Sequence, residues 1–155
     1  MLATKSHPDL VPSLLDKLTL ASYDVSSSVP ADPVRGLLRD ITDLLNTWTT
    51  ADARTEGFDE LASSITCYGA PLPSSLVIGT YDNQQAVGRR LEQLIVRFEP
   101  RIATAKVTVT PNRQQPTTCQ LTIVATLTSN PDTTISADYS VNYRQGRAQV
   151  ELVQS

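Results

Sequence analysis

The chain has 155 residues, 40% of them hydrophobic and 19% charged, a composition that fits one globular domain with a real core and not a disordered segment. The net charge is −3 and no block of Lys or Arg stands out, which argues against a general binder of nucleic acid or anionic membrane, since both are held through clustered positive charge. No apolar run approaches the roughly 20 residues that cross a bilayer, and Met1 to Leu10, interrupted by Lys5 and Pro8, lacks the apolar centre of a signal peptide; the expectation is a cytoplasmic chain.

Residues 1–32 read as a loosely held segment. Pro12 and Ser13 open a short amphipathic stretch in which Val11, Leu14, Leu15 and Leu18 recur at helical spacing, and a Ser-rich linker, Ser22 to Pro30, follows. A helix that short is not stable alone in water, so Leu14, Leu15 and Leu18 must pack either on their own domain or on a partner. The expected boundary puts a docking segment and linker at 1–32 and one folded domain at 33–155.

The first strong element runs from Pro33 to about Thr50. Asp32 suits the N-cap and Pro33 the first helical position. Val34, Leu37, Leu38, Ile41, Leu44, Leu45 and Trp48 then form one apolar stripe, which gives Trp48 a core role. A second helix is expected from about Thr55 to Tyr68, with Phe58, Leu61, Ala62 and Ile65 inward and Gly69 at its stop. Pro71 and Pro73 force a loop. A third helix starts near Asp82, buries Val87, Leu91, Leu94, Ile95 and Phe98, and ends at Glu99, because Pro100 disfavours helical backbone before it.

From there the period changes to two. Val107 and Val109 mark a short strand. Leu121, Ile123, Ala125 and Leu127 mark a second, and Ile135, Ala137, Tyr139, Val141 and Tyr143 a third. Gln145-Gly146 reads as a hairpin turn into a last strand with Ala148, Val150 and Leu152. Each strand has a single apolar face, which predicts an α+β fold: about three helices on one face of a small antiparallel sheet.

Catalytic chemistry finds little support. His7 is the single histidine and lies in the loose segment, so a nucleophile would lack a rigidly held base. Two distant cysteines, Cys67 and Cys119, supply no zinc site and read as half-buried thiols, with a disulfide as the lesser alternative. No glycine-rich phosphate loop is present, and the reading assigns no cofactor. Glu56, Asp59, Glu60, Glu92 and Glu99 are the acids that a glycoside hydrolase would draw on; all are expected on solvated helix faces.

Glu99-Pro100-Arg101 stands apart. A carboxylate at a helix C-terminus faces the negative end of the macrodipole; Arg101 can compensate it, and Pro100 stiffens the turn between them. The pair is either a structural corner clamp or a recognition knob.

Four strings in order carry a family resemblance: Pro12 to Leu18 (PSLLDKL); Leu37-Leu38-Arg39-Asp40-Ile41 running into Leu44-Leu45-Asn46-Thr47; Tyr68-Gly69; and Phe98-Glu99-Pro100-Arg101-Ile102. Together they resemble the TssE family of type VI secretion baseplate components, within the contractile-tail baseplate wedge proteins. The sequence departs from the family pattern at Trp48, where a basic residue is usual, and at Ala70-Pro71-Leu72-Pro73 after the Tyr-Gly pair. The resemblance implies a structural subunit that binds other wedge subunits and helps to start sheath polymerisation, with Glu99, Pro100, Arg101, Leu14, Leu15 and Leu18 as partner-binding residues. The same family has been labelled lysozyme-like, which keeps a peptidoglycan hydrolase as one alternative; a small soluble adaptor outside any such machine is the other.

Overall fold

The computed structural model describes residues 33–47, 49, 64–70, 81–112, 114–115, 117–144 and 147–153. The proposed docking segment with Leu14, Leu15 and Leu18, the Asp32 cap, Trp48, the loop prolines Pro71 and Pro73 and the Gln145-Gly146 turn lie outside them. Two α-helices, α1 (Pro33–Asn46) and α2 (Tyr81–Phe98), accompany a 3-10 turn at Ile65–Cys67 and four strands: β1 (Ile102–Pro111), β2 (Thr118–Leu127), β3 (Thr134–Arg144) and β4 (Arg147–Val153). The strands pair antiparallel in the order β1-β2-β3-β4. Among the described residues no helix is long and apolar enough to cross a membrane.

The helical stripes and the alternating strands meet as their spacing requires. Leu37, Ile41, Leu44 and Leu45 of α1 and Leu91 and Ile95 of α2 are buried against Val107, Cys119, Leu121, Ile123, Ala125, Leu127, Tyr139, Val141 and Val150. All these strand residues share one face, because side chains alternate along a strand. The other face carries mainly threonine, serine and charge, with Thr104 and Thr126 hydroxyls 2.7 Å apart and Thr122 donating to Asp138 at 2.7 Å. Both cysteines are buried free thiols, more enclosed than expected.

Two expectations need correction. Strand β1 is ten residues long, not a short piece around Val107 and Val109. Its register shifts between Ile102 and Thr104, and such an irregularity at a sheet rim blurs the apolar alternation. The expected helix at 55–68 is described only over its last turn, and there it is not α-helical. Cys67 N–H bonds the Ser64 carbonyl at 3.0 Å and Tyr68 N–H the Ile65 carbonyl at 3.1 Å, the pattern of a single 3-10 turn. Ile65 and Thr66 are β-branched, which disfavours extending an isolated turn. Ile65, assigned above to an apolar face, is 87% exposed. The described residues thus contain two α-helices instead of three, within the expected α+β class.

Candidate functional site

Helix α2 stops where Pro100 requires it to. Glu99 N–H still bonds the Ile95 carbonyl at 2.9 Å, and Ile102 N–H bonds the Glu99 carbonyl at 3.0 Å, closing a tight turn into β1. Within that turn the Glu99 carboxylate folds back on Arg101. Arg101 Nε donates to Glu99 Oε1 and Nη2 to Oε2, each at 2.7 Å, and the Arg101 backbone N–H adds a third bond at 3.1 Å. This two-pronged geometry is the strong form of the arginine–carboxylate pair.

A second carboxylate arrives from α1. Asp40 Oδ2 accepts from Arg101 Nη2 at 2.6 Å, and its Oδ1 accepts from Arg39 Nη2 at 3.0 Å and Nε at 3.3 Å. Glu99, expected on a solvated helix face, is only 7% exposed. Its hydrogen bond to Arg101 is the largest influence holding that guanidinium well above its ordinary range, against the opposing effect of burial. Nη1 of Arg101 is buried with no hydrogen-bond partner among the described residues.

Other motif residues frame this corner. Tyr68 packs edge-on against Phe98, ring centres 5.4 Å apart, and burial, then the charges of Asp43, Asp40 and Glu99, raise its hydroxyl pKa. Gly69 has φ +121°, and a Cβ there would stand 2.4 Å from the Thr47 carbonyl oxygen. Ala70 N–H donates to that same oxygen at 2.9 Å. The loop after β2 closes the corner from below: Thr128 N–H bonds the Arg101 carbonyl at 2.9 Å, and its hydroxyl the Pro100 carbonyl at 3.0 Å.

The structure therefore brings Glu99 and Arg101 together, with Pro100 exposed at the outer bend. Sequence reasoning missed Asp40 as the third charge. The signal was present, since Asp40 lies inside one of the four strings, but a pairing with Arg101 across 61 residues has no local mark.

Of the acids considered for hydrolysis, the two described, Glu92 and Glu99, do not gather. Glu56, Asp59 and Glu60 lie outside the described residues. Glu92 lines an open groove of about 580 Å³ between α2 and β1, where the other described lining residues include Arg89, Lys106 and Thr108 but no second acid. One oxygen of Glu92 is committed to the Val107 N–H at 2.9 Å.

The family model for baseplate wedge protein gp25 matches residues 32–132, a span that takes in α1, Tyr68-Gly69, α2, the Glu99-Pro100-Arg101 corner, β1 and β2. A solved chain from the baseplate complex from the type VI secretion system is 16% identical, with 79% of this chain and 94% of that one covered and a TM-score of 0.49. No curated protein matches. Because the match to the family model extends over most of the sequence, the chain belongs to the baseplate wedge protein gp25 family.

Proposed function

We propose that this chain is a non-enzymatic structural subunit of a type VI secretion baseplate, working on the cytoplasmic side, where it binds other wedge subunits and helps to initiate polymerisation of the contractile sheath. The observation that carries the reading is the convergence of widely spaced family strings on one corner: Asp40, Thr47, Tyr68-Gly69 and Phe98-Glu99-Pro100-Arg101 are linked by contacts between α1, α2 and the start of β1. Both acids of the cluster, Asp40 and Glu99, are committed to the one guanidinium of Arg101, an arrangement that serves shape, not turnover. Glu99, Pro100 and Arg101 form the docking corner in this reading, and Leu14, Leu15 and Leu18 a second attachment.

In cells lacking the gene, a fluorescently labelled sheath should fail to assemble, and the wild-type chain should restore it. Normal sheath assembly without the chain would refute the role. Docking through the corner is tested with Arg101→Lys, which keeps the charge but loses the planar fork. A variant that melts like wild type yet no longer supports sheath assembly favours docking. One that assembles sheath normally ends it, and one that loses stability in proportion to assembly returns the motif to clamping.

A further inference from the structure

Among the described residues, strand β4 lies at the rim of the sheet. Along an antiparallel strand the peptide groups turn alternately toward the neighbouring strand and away from it. In the β3–β4 register those of Gln149 and Glu151 turn to β3, and those of Ala148, Val150 and Leu152 turn outward. The Asn46 carboxamide, at the C-terminal end of α1, fills both positions at Val150: Nδ2 donates to its carbonyl at 2.9 Å and Oδ1 accepts from its N–H at 2.8 Å. Those are the two bonds that one residue of an added strand would make. Val150 is also the middle of the three outward residues, so an incoming strand must displace Asn46 to gain any continuous pairing. We infer that Asn46 is a gatekeeper of the sheet rim, closing β4 to strand addition by a second copy of this chain.

The second copy is the occupant that the strand itself specifies. Placed antiparallel about Val150, β4 complements itself: Ala148 meets Leu152, and Gln149 meets Glu151 as a donor facing a carboxylate. Gln149 Nε2 already donates to Glu151 Oε1 within the strand at 3.1 Å. Leu152 and Val153 are 37% and 39% exposed, apolar surface that such pairing would cover. No proline interrupts the strand, so the backbone of β4 does not itself close the rim, and a twofold contact needs no other protein. The device stands whether or not the chain works in a secretion baseplate.

The test uses the full chain, with amide exchange resolved by residue and mass measured over a range of concentrations. In wild type the Val150 amide should exchange at least about tenfold more slowly than those of Ala148 and Leu152. Equal exchange at the three would overturn the plug, and that result needs no variant. Asn46→Ala should lose the protection of Val150 when dilute and double its mass when concentrated. Adding Leu152→Pro, which removes an outward donor and spares the ladder to β3, should return it to a monomer. An Asn46→Ala chain that stays monomeric, or a dimer that Leu152→Pro does not dissolve, overturns the inference. Should Asn46→Ala fail to fold, Asn46→Leu has nearly the same shape without either polar group and carries the same comparison.

Discussion

Helices α1 and α2 cover the same face of one sheet but are fastened to it differently. Helix α2 runs straight into β1 through a tight turn, and its polar links are short in sequence: Glu99 to Arg101 across two residues and Glu92 to Val107 across 15. Helix α1 reaches its partners across 61 residues, Asp40 to Arg101, and across 104, Asn46 to Val150. Apolar contact is strong but non-directional. A helix joined directly to its strand is positioned by the chain, so an apolar stripe suffices. A helix arriving from a distance needs groups of fixed geometry to set its rotation and slide, and α1 uses a charged fork at one point and a carboxamide at another. Polar side chains here act as registration pins for the element that connectivity leaves free.

The sharpest way to break that contrast is Arg101→Ala. The substitution strands Glu99, nearly buried, and leaves Asp40 with the more exposed Arg39 as its remaining guanidinium. Removing one partner of a buried ion pair costs about 3–5 kcal/mol, read as a shift in the urea midpoint at unchanged slope. Asp40→Asn should cost less, and the double variant should fall short of the sum, since the two residues share one contact. A loss below about 1 kcal/mol, the range of exposed pairs, would mean that α1 is not pinned at this corner.

Gly69→Ala strikes the other side of α1. The residue has positive φ and lies against the Thr47 backbone, so added strain and overpacking should together cost about 3 kcal/mol, measured by thermal melting. A neutral outcome would show that the Thr47 end of α1 can give way. This glycine also marks how far the sequence could be read. Its presence predicts a chain break, and the helical spacing before it points to a helix stop. The actual requirement, a backbone passing 22 positions from its neighbour in sequence, is a tertiary fact. The stripes of α1 and α2 and the alternation in β2 and β3 were readable because burial imposes a period on them. Strand β1, at the rim and with a register shift, has a weak period and was underestimated. Glu99 and Arg101 were readable as a pair because they are two residues apart, while Asp40 and Asn46 were not, because nothing local distinguishes a solvated Asp or Asn from one that pins a distant strand.

High pH should loosen α1 next. Burial pushes the Tyr139 hydroxyl up to about 12, against the opposing effect of a hydrogen bond with Thr42, and pushes the Cys119 thiol up to about 11. Tyr139 reaches the Leu38 carbonyl of α1 at 3.4 Å. Both groups hold their protons more tightly folded than unfolded, so the native state is favoured in full below their ordinary values of 9.0 and 10.0. That advantage is lost as the pH rises through about 11 and 12. The expected decline is about 2 kcal/mol between pH 8 and 10, followed through urea midpoints, with a smaller decline in Tyr139→Phe. A flat profile would mean that the ring and thiol are better solvated than their place in the core implies.

The smallest effect should come from α2. Glu92 accepts the outward N–H of Val107 on rim strand β1, the counterpart of Asn46 on β4 but with an acceptor alone. Just above it the helix presses on the strand at Gly88, where a Cβ would stand 2.8 Å from the Val107 carbonyl oxygen. Glu92→Ala leaves one N–H without its carboxylate, yet that N–H faces the open groove, where water can replace the lost acceptor. The cost should be about 1 kcal/mol, and Glu92→Gln, which retains a carbonyl oxygen, should recover most of it. The helix keeps its place because Leu91 and Ile95 stay buried and the turn at Pro100 still delivers the chain into β1. If Glu92→Ala instead matched or exceeded Arg101→Ala in urea, α2 would depend on its polar link as much as α1 does, and chain connectivity would not be what positions it.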